Sequence, residues 1–186
     1  MLIPETKKTG PLPVLFVFHG AGGTPSEYLQ LWAGEAGKRK ALVLAPHNPQ
    51  GRSSEEIQVE LFDRLLEGVA RNYPIDSSRI FLAGTSAGTL SVKWLLLNRA
   101  TKIRGAIFIT SNAAMPLAKD LPPGGWRGPV LFVHGTEDPL YEFIQNETAA
   151  LQARGVSAEL MSIPGAGHEH RPEWNAAIFD WIEKRL

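Results

Sequence analysis

Cysteine is absent from the 186-residue sequence. Disulfides, thiolate nucleophiles and cysteine-based zinc sites are therefore excluded. Charge of one sign is not in excess either, since 19 basic residues balance 19 acidic ones. A balanced chain has no general electrostatic attraction to nucleic acid or to an anionic membrane, so we expect neither as a partner.

Long apolar runs are missing as well. No stretch approaches the ~18 apolar residues of a membrane-spanning helix, and residues 1–8 lack the apolar core of a signal peptide. We therefore expect a cytoplasmic protein that does not bind membranes. With 44% hydrophobic and 20% charged residues, the composition is typical of one globular domain over residues 1–186.

Six short apolar runs have the length of strands. Most are continuous rather than alternating, which is typical of strands covered on both faces, as in a parallel sheet. The last of them alternates imperfectly. The runs are residues 14–18, 41–45, 79–83, 103–109, 129–133 and 157–163.

Helical patterns separate these runs. They cover about residues 26–37, 53–72, 87–98, 141–154 and 172–184. Alternation of strands and helices along the whole chain predicts βαβ units and a doubly wound, mostly parallel sheet of about six strands. Residues 115–128 are rich in proline and glycine and are predicted to be irregular, forming at most a small flap.

The stretch from Gly84 to Gly88 reads Gly-x-Ser-x-Gly and lies between a predicted strand and a predicted helix. This is the setting of a nucleophile elbow, in which a strained turn exposes a serine hydroxyl. The glycines on either side allow close approach of the backbone. Ser86 is therefore the candidate nucleophile, and an ordinary strand–helix turn is the alternative.

Polar loops follow the other predicted strands at the same edge of the sheet, where open parallel sheets bind ligands. A serine hydroxyl needs a base within hydrogen-bond reach. His168, in a glycine-rich loop after the sixth run, is the candidate base. Asp138, after the fifth run, is the candidate acid that orients the imidazole and stabilises its charged form.

Other histidines and acids leave alternatives open. His170 is an alternative base, and Glu137 is adjacent to the candidate acid. Histidines two apart in a loop do not make a metal site without further ligands, so we expect no metal. His19 and His134 each precede a glycine at the end of a predicted strand, and we interpret both as structural histidines.

The loop from His19 to Gly23 follows the first run. It lacks the Lys-Ser/Thr pair of a Walker loop and the glycine spacing of a dinucleotide fingerprint, which argues against phosphate binding. We expect it instead to stabilise an oxyanion through backbone N–H groups. The candidate donors are Ala21 and Ala87, with Gly22 next.

Five side chains are candidates for lining a substrate site, and packing in the core or at the surface is the alternative for each. They are Tyr28, Met115, Trp126, Leu140 and Phe143.

Taken together, these segments resemble the α/β-hydrolase superfamily. Within it, the chain is similar to serine esterases related to phospholipase/carboxylesterase and to polyhydroxybutyrate depolymerase/feruloyl esterase proteins. The resemblance implies an α/β-hydrolase fold and hydrolysis of carboxylic esters through an acyl-enzyme, without a cofactor. The triad would be Ser86, Asp138 and His168, in the chain order of that superfamily. The matching segments are residues 18–23, 73–76, 79–88, 134–139 and 165–168.

The chain departs from this family in being short. It lacks the usual leading antiparallel strands and a long insertion between the fourth and fifth strands, so we expect a minimal, capless version. We expect short-chain or accessible acyl esters as small-molecule substrates, and a monomer or homodimer. A thioesterase, peptidase or acyltransferase with the same triad is the alternative, followed by a non-catalytic binding module.

Overall fold

The computed structural model describes residues 1–4, 10–47, 54–112 and 116–186. Six strands alternate with helices along these residues. The strands are β1 (Leu12–Phe18), β2 (Leu42–Leu44), β3 (Ile75–Thr85), β4 (Gly105–Ile109), β5 (Val130–Gly135) and β6 (Ala158–Ile163). The helices are α1 (Pro25–Arg39), α2 (Glu55–Asn72), α3 (Gly88–Asn98), α4 (Leu117–Asp120), α5 (Tyr141–Ala153) and α6 (Asn175–Glu183).

The strands form one sheet in the order β2-β1-β3-β4-β5-β6, and neighbouring strands pair in parallel. The predicted doubly wound parallel sheet is confirmed. The chain places β2 on one side of β1 and β3 on the other, so the winding direction reverses at β1. Sheets of this kind bind ligands in the crevice above the carboxyl ends of the strands at such a reversal. Here that crevice lies between the loops that follow β1 and β3.

Each face of the sheet is covered by its own layer of helices, because successive side chains of a strand point to opposite faces. In β1, Phe16 packs in the same core as Phe62 of α2 and Leu95 of α3. Its neighbour Val17 packs on the other face, in a core that includes Trp32 of α1. Burial on both faces explains the continuous apolar runs of the sequence.

Local side-chain chemistry fixes the start of α1. The Thr24 hydroxyl accepts the Glu27 N–H at 3.3 Å, and the Glu27 carboxylate accepts the Thr24 N–H at 2.8 Å. This reciprocal pair satisfies two backbone donors that the helix leaves unpaired. Pro25 occupies the first turn, where backbone N–H groups have no partner within the helix, so the N–H that proline lacks is not needed.

The connection from β4 to β5 is more ordered than predicted. It contains α4, whose Ala118 N–H donates to the Glu147 carboxylate of α5 at 2.6 Å. Asp120 of α4 pairs with Lys93 of α3 at 2.5 Å. Groups on two neighbouring helices thus hold a segment that has no helical periodicity of its own.

Among the described residues, no helix has the length and apolarity needed to cross a membrane.

Candidate active site

Ser86 lies in the sharp turn between β3 and α3. Its φ of 50° is in the left-handed region, which a serine adopts only when its surroundings impose it. The Ser86 N–H donates to the carbonyl of Ile109 on β4 at 2.9 Å, which fixes the turn against the neighbouring strand. The serine is therefore presented at the carboxyl edge of the sheet.

Two glycines make this turn possible. A Cβ on Gly84 would lie 2.5 Å from the Gly88 carbonyl oxygen, and a Cβ on Gly88 would lie 2.3 Å from the Phe18 carbonyl oxygen. Both distances are far inside van der Waals contact with backbone atoms that cannot move aside. The Gly-x-Ser-x-Gly spacing is therefore required by the packing of β1, β3 and α3 against one another.

Substituting Gly88 with alanine should lower the free energy of unfolding by about 3 kcal/mol, because the new methyl group overlaps the backbone of β1. Gly34 is the matched control, since it lies inside α1 and a Cβ there meets nothing within 4 Å. Gly34→Ala should raise the free energy of unfolding by up to about 1 kcal/mol. Urea unfolding of both variants measures the difference. Equal effects of the two substitutions would contradict the packing argument.

The three residues predicted to form a triad lie in one hydrogen-bonded row. His168 Nε2 is 2.9 Å from Ser86 Oγ, and His168 Nδ1 is 2.7 Å from Asp138 Oδ2. The carboxylate is buried, whereas the imidazole side chain is 40% exposed. Solvent thus reaches the serine end of the row, and the carboxylate end is shielded. Glu137, the alternative acid, is exposed and is not the residue that contacts the imidazole.

Asp138 is arranged to stay ionised despite its burial. Burial alone raises the pKa of its carboxyl. The Leu140 N–H donates to Oδ1 at 2.9 Å, and His168 and His134 interact with the same carboxylate. These contacts outweigh burial and place the pKa of Asp138 below its ordinary value. An ionised carboxylate favours the His168 tautomer with the proton on Nδ1, which leaves Nε2 free to accept the serine proton.

Close approach of two loops brings His168 to Asp138. A Cβ on Gly135, at the end of β5, would lie 2.1 Å from the Ala166 carbonyl oxygen in the loop after β6. The Glu137 N–H donates to that same oxygen at 2.9 Å. Gly135, three residues before Asp138, therefore lets the loop that carries His168 cross directly over the end of β5.

His134 is wholly buried beside the triad, as expected of a structural histidine. Its Nε2 lies 3.1 Å from Asp138 Oδ2, but the direction of the contact falls outside hydrogen-bond geometry. Burial, the largest influence, lowers the pKa of His134 even though the carboxylate opposes the change. The residue therefore stays neutral at neutral pH.

His170, the alternative base, points elsewhere. Its Nε2 is 2.8 Å from Asn175 Oδ1 on α6, and its Nδ1 is 3.3 Å from Thr85 Oγ1 on β3. Its ring also lies edge-on to Trp32, with 5.4 Å between the ring centroids. The structure brings His168 to the Ser86 hydroxyl, and it places His170, partly buried, between the end of β3 and α6.

The burial of His170 predicts a pH dependence of stability. Burial lowers its pKa from 6.5 to about 4, and the Asn175 bond opposes this only in part. As the pH falls from about 6.5 to about 4, the unfolded chain binds a proton here that the folded chain does not. The free energy of unfolding should therefore fall over this window by up to about 3 kcal/mol, and this contribution is fully present above it.

Urea unfolding between pH 4 and pH 8 measures this effect. The matched variant is His170→Gln, whose amide keeps a donor towards Asn175 but does not titrate. The wild-type chain should lose more stability than the variant as the solution is acidified. Parallel pH profiles for the two proteins would show that residue 170 does not contribute.

The loop after β1 lies against the elbow. A Cβ on Gly20 would be 3.3 Å from the Thr85 carbonyl oxygen and 3.4 Å from Ser86 Cβ. The Gly20 N–H donates to the Tyr28 hydroxyl at 3.3 Å, and the Gly20 carbonyl lies 2.9 Å from His19 Nδ1. Both side chains therefore hold the loop in place, in agreement with the interpretation of His19 as structural.

The candidate oxyanion donors are free for a ligand. Ala21 and Gly22 are exposed in the loop after β1, and Gly22 has a φ of 77°. Ala87 directly follows the serine and precedes the first turn of α3. Within the described part of the chain, no acceptor is bonded to the N–H groups of Ala21 or Ala87. Unpaired N–H groups beside a nucleophile are the donors that a developing negative charge requires.

The five predicted lining residues have different positions. Tyr28 is half-buried and binds the loop after β1, Leu140 contributes its N–H to Asp138, and Phe143 packs partly against the core. Met115 lies outside the described residues. The prediction for Trp126 is wrong: it is buried, and its Nε1 donates at 3.2 Å to the carbonyl of Ile103, at the amino end of β4. That end of the sheet is opposite to Ser86.

Sequence reasoning missed the roles of Thr85 and Asn175. A signal for Asn175 exists, because it shares the apolar face of α6 with Ile178 and Phe179 at helical spacing. A polar residue on such a face has to find a buried partner.

Across the described ranges, no group of three or more His, Asp or Glu residues could hold a metal ion.

Comparisons with known proteins give distant relatives. No family model matches the chain. Carboxylesterase SOBER1 of Arabidopsis thaliana is 30% identical over 115 residues, which are 58% of this chain and 49% of that protein. The chain thus spans about half the length of the curated relatives it matches first.

Solved structures resemble nearly the whole chain. Est1E from Butyrivibrio proteoclasticus has a TM-score of 0.76 at 16% identity, covering 98% of this chain and 91% of its own. FphF, a fluorophosphonate-binding serine hydrolase of Staphylococcus aureus, has a TM-score of 0.74 at 18% identity, covering 98% and 89%. The chain has the α/β-hydrolase fold, and the resemblance to esterases of that fold is confirmed.

Proposed function

We propose that this chain is a serine esterase that hydrolyses carboxylic esters through an acyl-enzyme. One observation carries the proposal: Ser86, His168 and Asp138 form a continuous hydrogen-bonded row beside unpaired backbone N–H groups. The similarity to a named carboxylesterase and to a fluorophosphonate-binding serine hydrolase supports it.

Each residue has a role in the proposed reaction. His168 Nε2 takes the proton from Ser86 Oγ as the oxygen attacks the ester carbonyl carbon. The carbonyl oxygen becomes negative and is stabilised by the N–H groups of Ala21 and Ala87. Collapse of this intermediate breaks the bond to the alcohol, which leaves with the proton held on His168. Water then gives a proton to His168 as its oxygen attacks the acyl carbon, and collapse of this second intermediate releases the acid while His168 returns the proton to Ser86 Oγ.

The surroundings of the row suggest accessible ester substrates. The imidazole is partly exposed, and in the described residues the connections that follow the strands contain only two short elements beyond the main helices, α4 and a 3-10 turn over Pro172–Trp174. A short acyl group, or an ester at the surface of a larger molecule, can therefore approach without a cap having to move. The oligomeric state and the compartment stay predictions.

Fluorophosphonate labelling tests the proposal. A fluorophosphonate should form a 1:1 adduct on the peptide that contains Ser86, and p-nitrophenyl acetate hydrolysis should fall in proportion to the adduct. A series of p-nitrophenyl esters from acetate to octanoate, with a matched thioester, then separates an esterase from a thioesterase. Absence of labelling, or labelling without loss of hydrolysis, would overturn the proposed function.

A further inference from the structure

A second histidine lies two residues beyond the proposed base and is partly buried. His170 is enclosed by β3, α1 and α6, with the rings of Trp32 and Trp174 beside it. Neither the resemblance to esterases nor the proposed reaction assigns it a role. Its hydrogen bonds, however, connect the two segments that carry Ser86 and His168.

The direction of these bonds follows from Asn175. Its Nδ2 donates to the Leu31 carbonyl of α1 at 2.8 Å, so its Oδ1 faces His170 Nε2 at 2.8 Å as an acceptor. His170 Nε2 therefore carries the proton, and Nδ1 is left as an acceptor. Since Nδ1 accepts in this contact, the donor is the Thr85 hydroxyl, whose oxygen lies 3.3 Å away.

The result is a directed row of three hydrogen bonds. Thr85 donates to His170, His170 donates to Asn175, and Asn175 donates to Leu31. Because burial lowers the pKa of His170 to about 4, the neutral ring that this row requires is present at neutral pH. The row begins one residue before Ser86 and passes through the residue two beyond His168.

We propose that His170 is a positioning residue that ties the loop carrying His168 to the strand end carrying Ser86. The inference rests on the proposed esterase function. The 2.9 Å contact between His168 Nε2 and Ser86 Oγ joins two separate loops, and the His168 side chain is itself partly exposed. Its bond to Asp138 fixes the other side of the ring. The Thr85–His170 bond fixes the distance between the two loops.

A matched pair at position 85 tests this link without disturbing the core. Thr85→Val keeps the shape of the side chain and removes the hydroxyl, and Thr85→Ser keeps the hydroxyl. We expect Val to lower kcat on p-nitrophenyl acetate and the rate of fluorophosphonate labelling by about tenfold, with KM unchanged. A displacement of about 1 Å at a reacting group has effects of this size or larger. Serine should restore most of the rate.

His170→Gln breaks the same bond from the other side, since glutamine keeps a donor towards Asn175 and loses the acceptor towards Thr85. Alone it should resemble Thr85→Val, and the double variant should be no worse than either single variant, because both remove one interaction. Losses that multiply in the double variant, an unchanged rate in Thr85→Val, or a Ser variant as slow as the Val variant would overturn the proposal. Melting temperatures of all variants identify any that are merely unstable.

A crystal structure of the Thr85→Val variant gives a readout that does not need turnover. We expect the distance between Ser86 Oγ and His168 Nε2 to exceed hydrogen-bond reach. An unchanged distance would overturn the positioning role even if the chain had no esterase activity. Conversely, an active wild-type chain with a rate-neutral Thr85→Val substitution would overturn the positioning role and leave the esterase proposal standing.

Discussion

Replacing Ser86 with alanine is expected to lower kcat on p-nitrophenyl esters by about 10⁶-fold and to abolish fluorophosphonate labelling. The variant has no side-chain oxygen to attack the ester. Water would have to attack the ester carbonyl directly, with only the N–H groups of Ala21 and Ala87 to stabilise the resulting oxyanion. A residual rate above the uncatalysed reaction is expected, because these donors remain in place. Steady-state kinetics and intact-protein mass spectrometry measure the two effects.

Ser157 provides the control for this substitution. It is an exposed serine just before β6, at the end of the sheet opposite to the elbow. Ser157→Ala should keep the wild-type rate and the label. The alanine at position 86 relieves a strained serine φ only slightly, so the melting temperature should change little. Undiminished turnover in Ser86→Ala would remove the proposed mechanism.

Changing Asp138 to asparagine should lower kcat by about 10⁴-fold, the second largest effect expected here. An amide at this position presents either an N–H or a neutral carbonyl to His168 Nδ1. The tautomer with the proton on Nδ1 is then no longer favoured, and Nε2 cannot take the serine proton. The rate of fluorophosphonate labelling should fall in parallel, because it depends on the same proton transfer.

Glu137→Gln is the matched control for the acid. Glu137 is adjacent in sequence but exposed, and of the two carboxylates it is Asp138 that bonds to the His168 imidazole. The control should keep its activity at every pH tested. If Glu137→Gln lost activity and Asp138→Asn retained it, the acid would have been assigned to the wrong carboxylate.

Much of the fold is readable in the sequence for one physical reason. In a parallel sheet covered on both faces, both sides of a strand are buried, as they are over residues 14–18 of β1, so the run is apolar without interruption. The elbow is readable because Gly84 and Gly88 leave no room for a side chain. His168 and Asp138 follow from chain order and from the glycine-rich loops that permit their approach.

Other features depend on contacts that no local pattern encodes. Trp126 lies in a stretch with neither helical nor strand periodicity, so only the folded chain shows that its N–H binds the far end of β4. The order in α4 comes from Glu147 and Lys93, which belong to other helices. The bond between Thr85 and His170 joins residues 85 positions apart, and it exists only because the register of the sheet brings them together.

The partial exposure of the His168 ring also affects the fate of an acyl group once it has been transferred to the enzyme. An acyl group on Ser86 would face bulk solvent, so any small alcohol dissolved there competes with water for the carbonyl carbon. In aqueous methanol the chain should therefore form methyl esters as well as free acids. The ratio of these products would report how freely the bound acyl group meets the surrounding liquid.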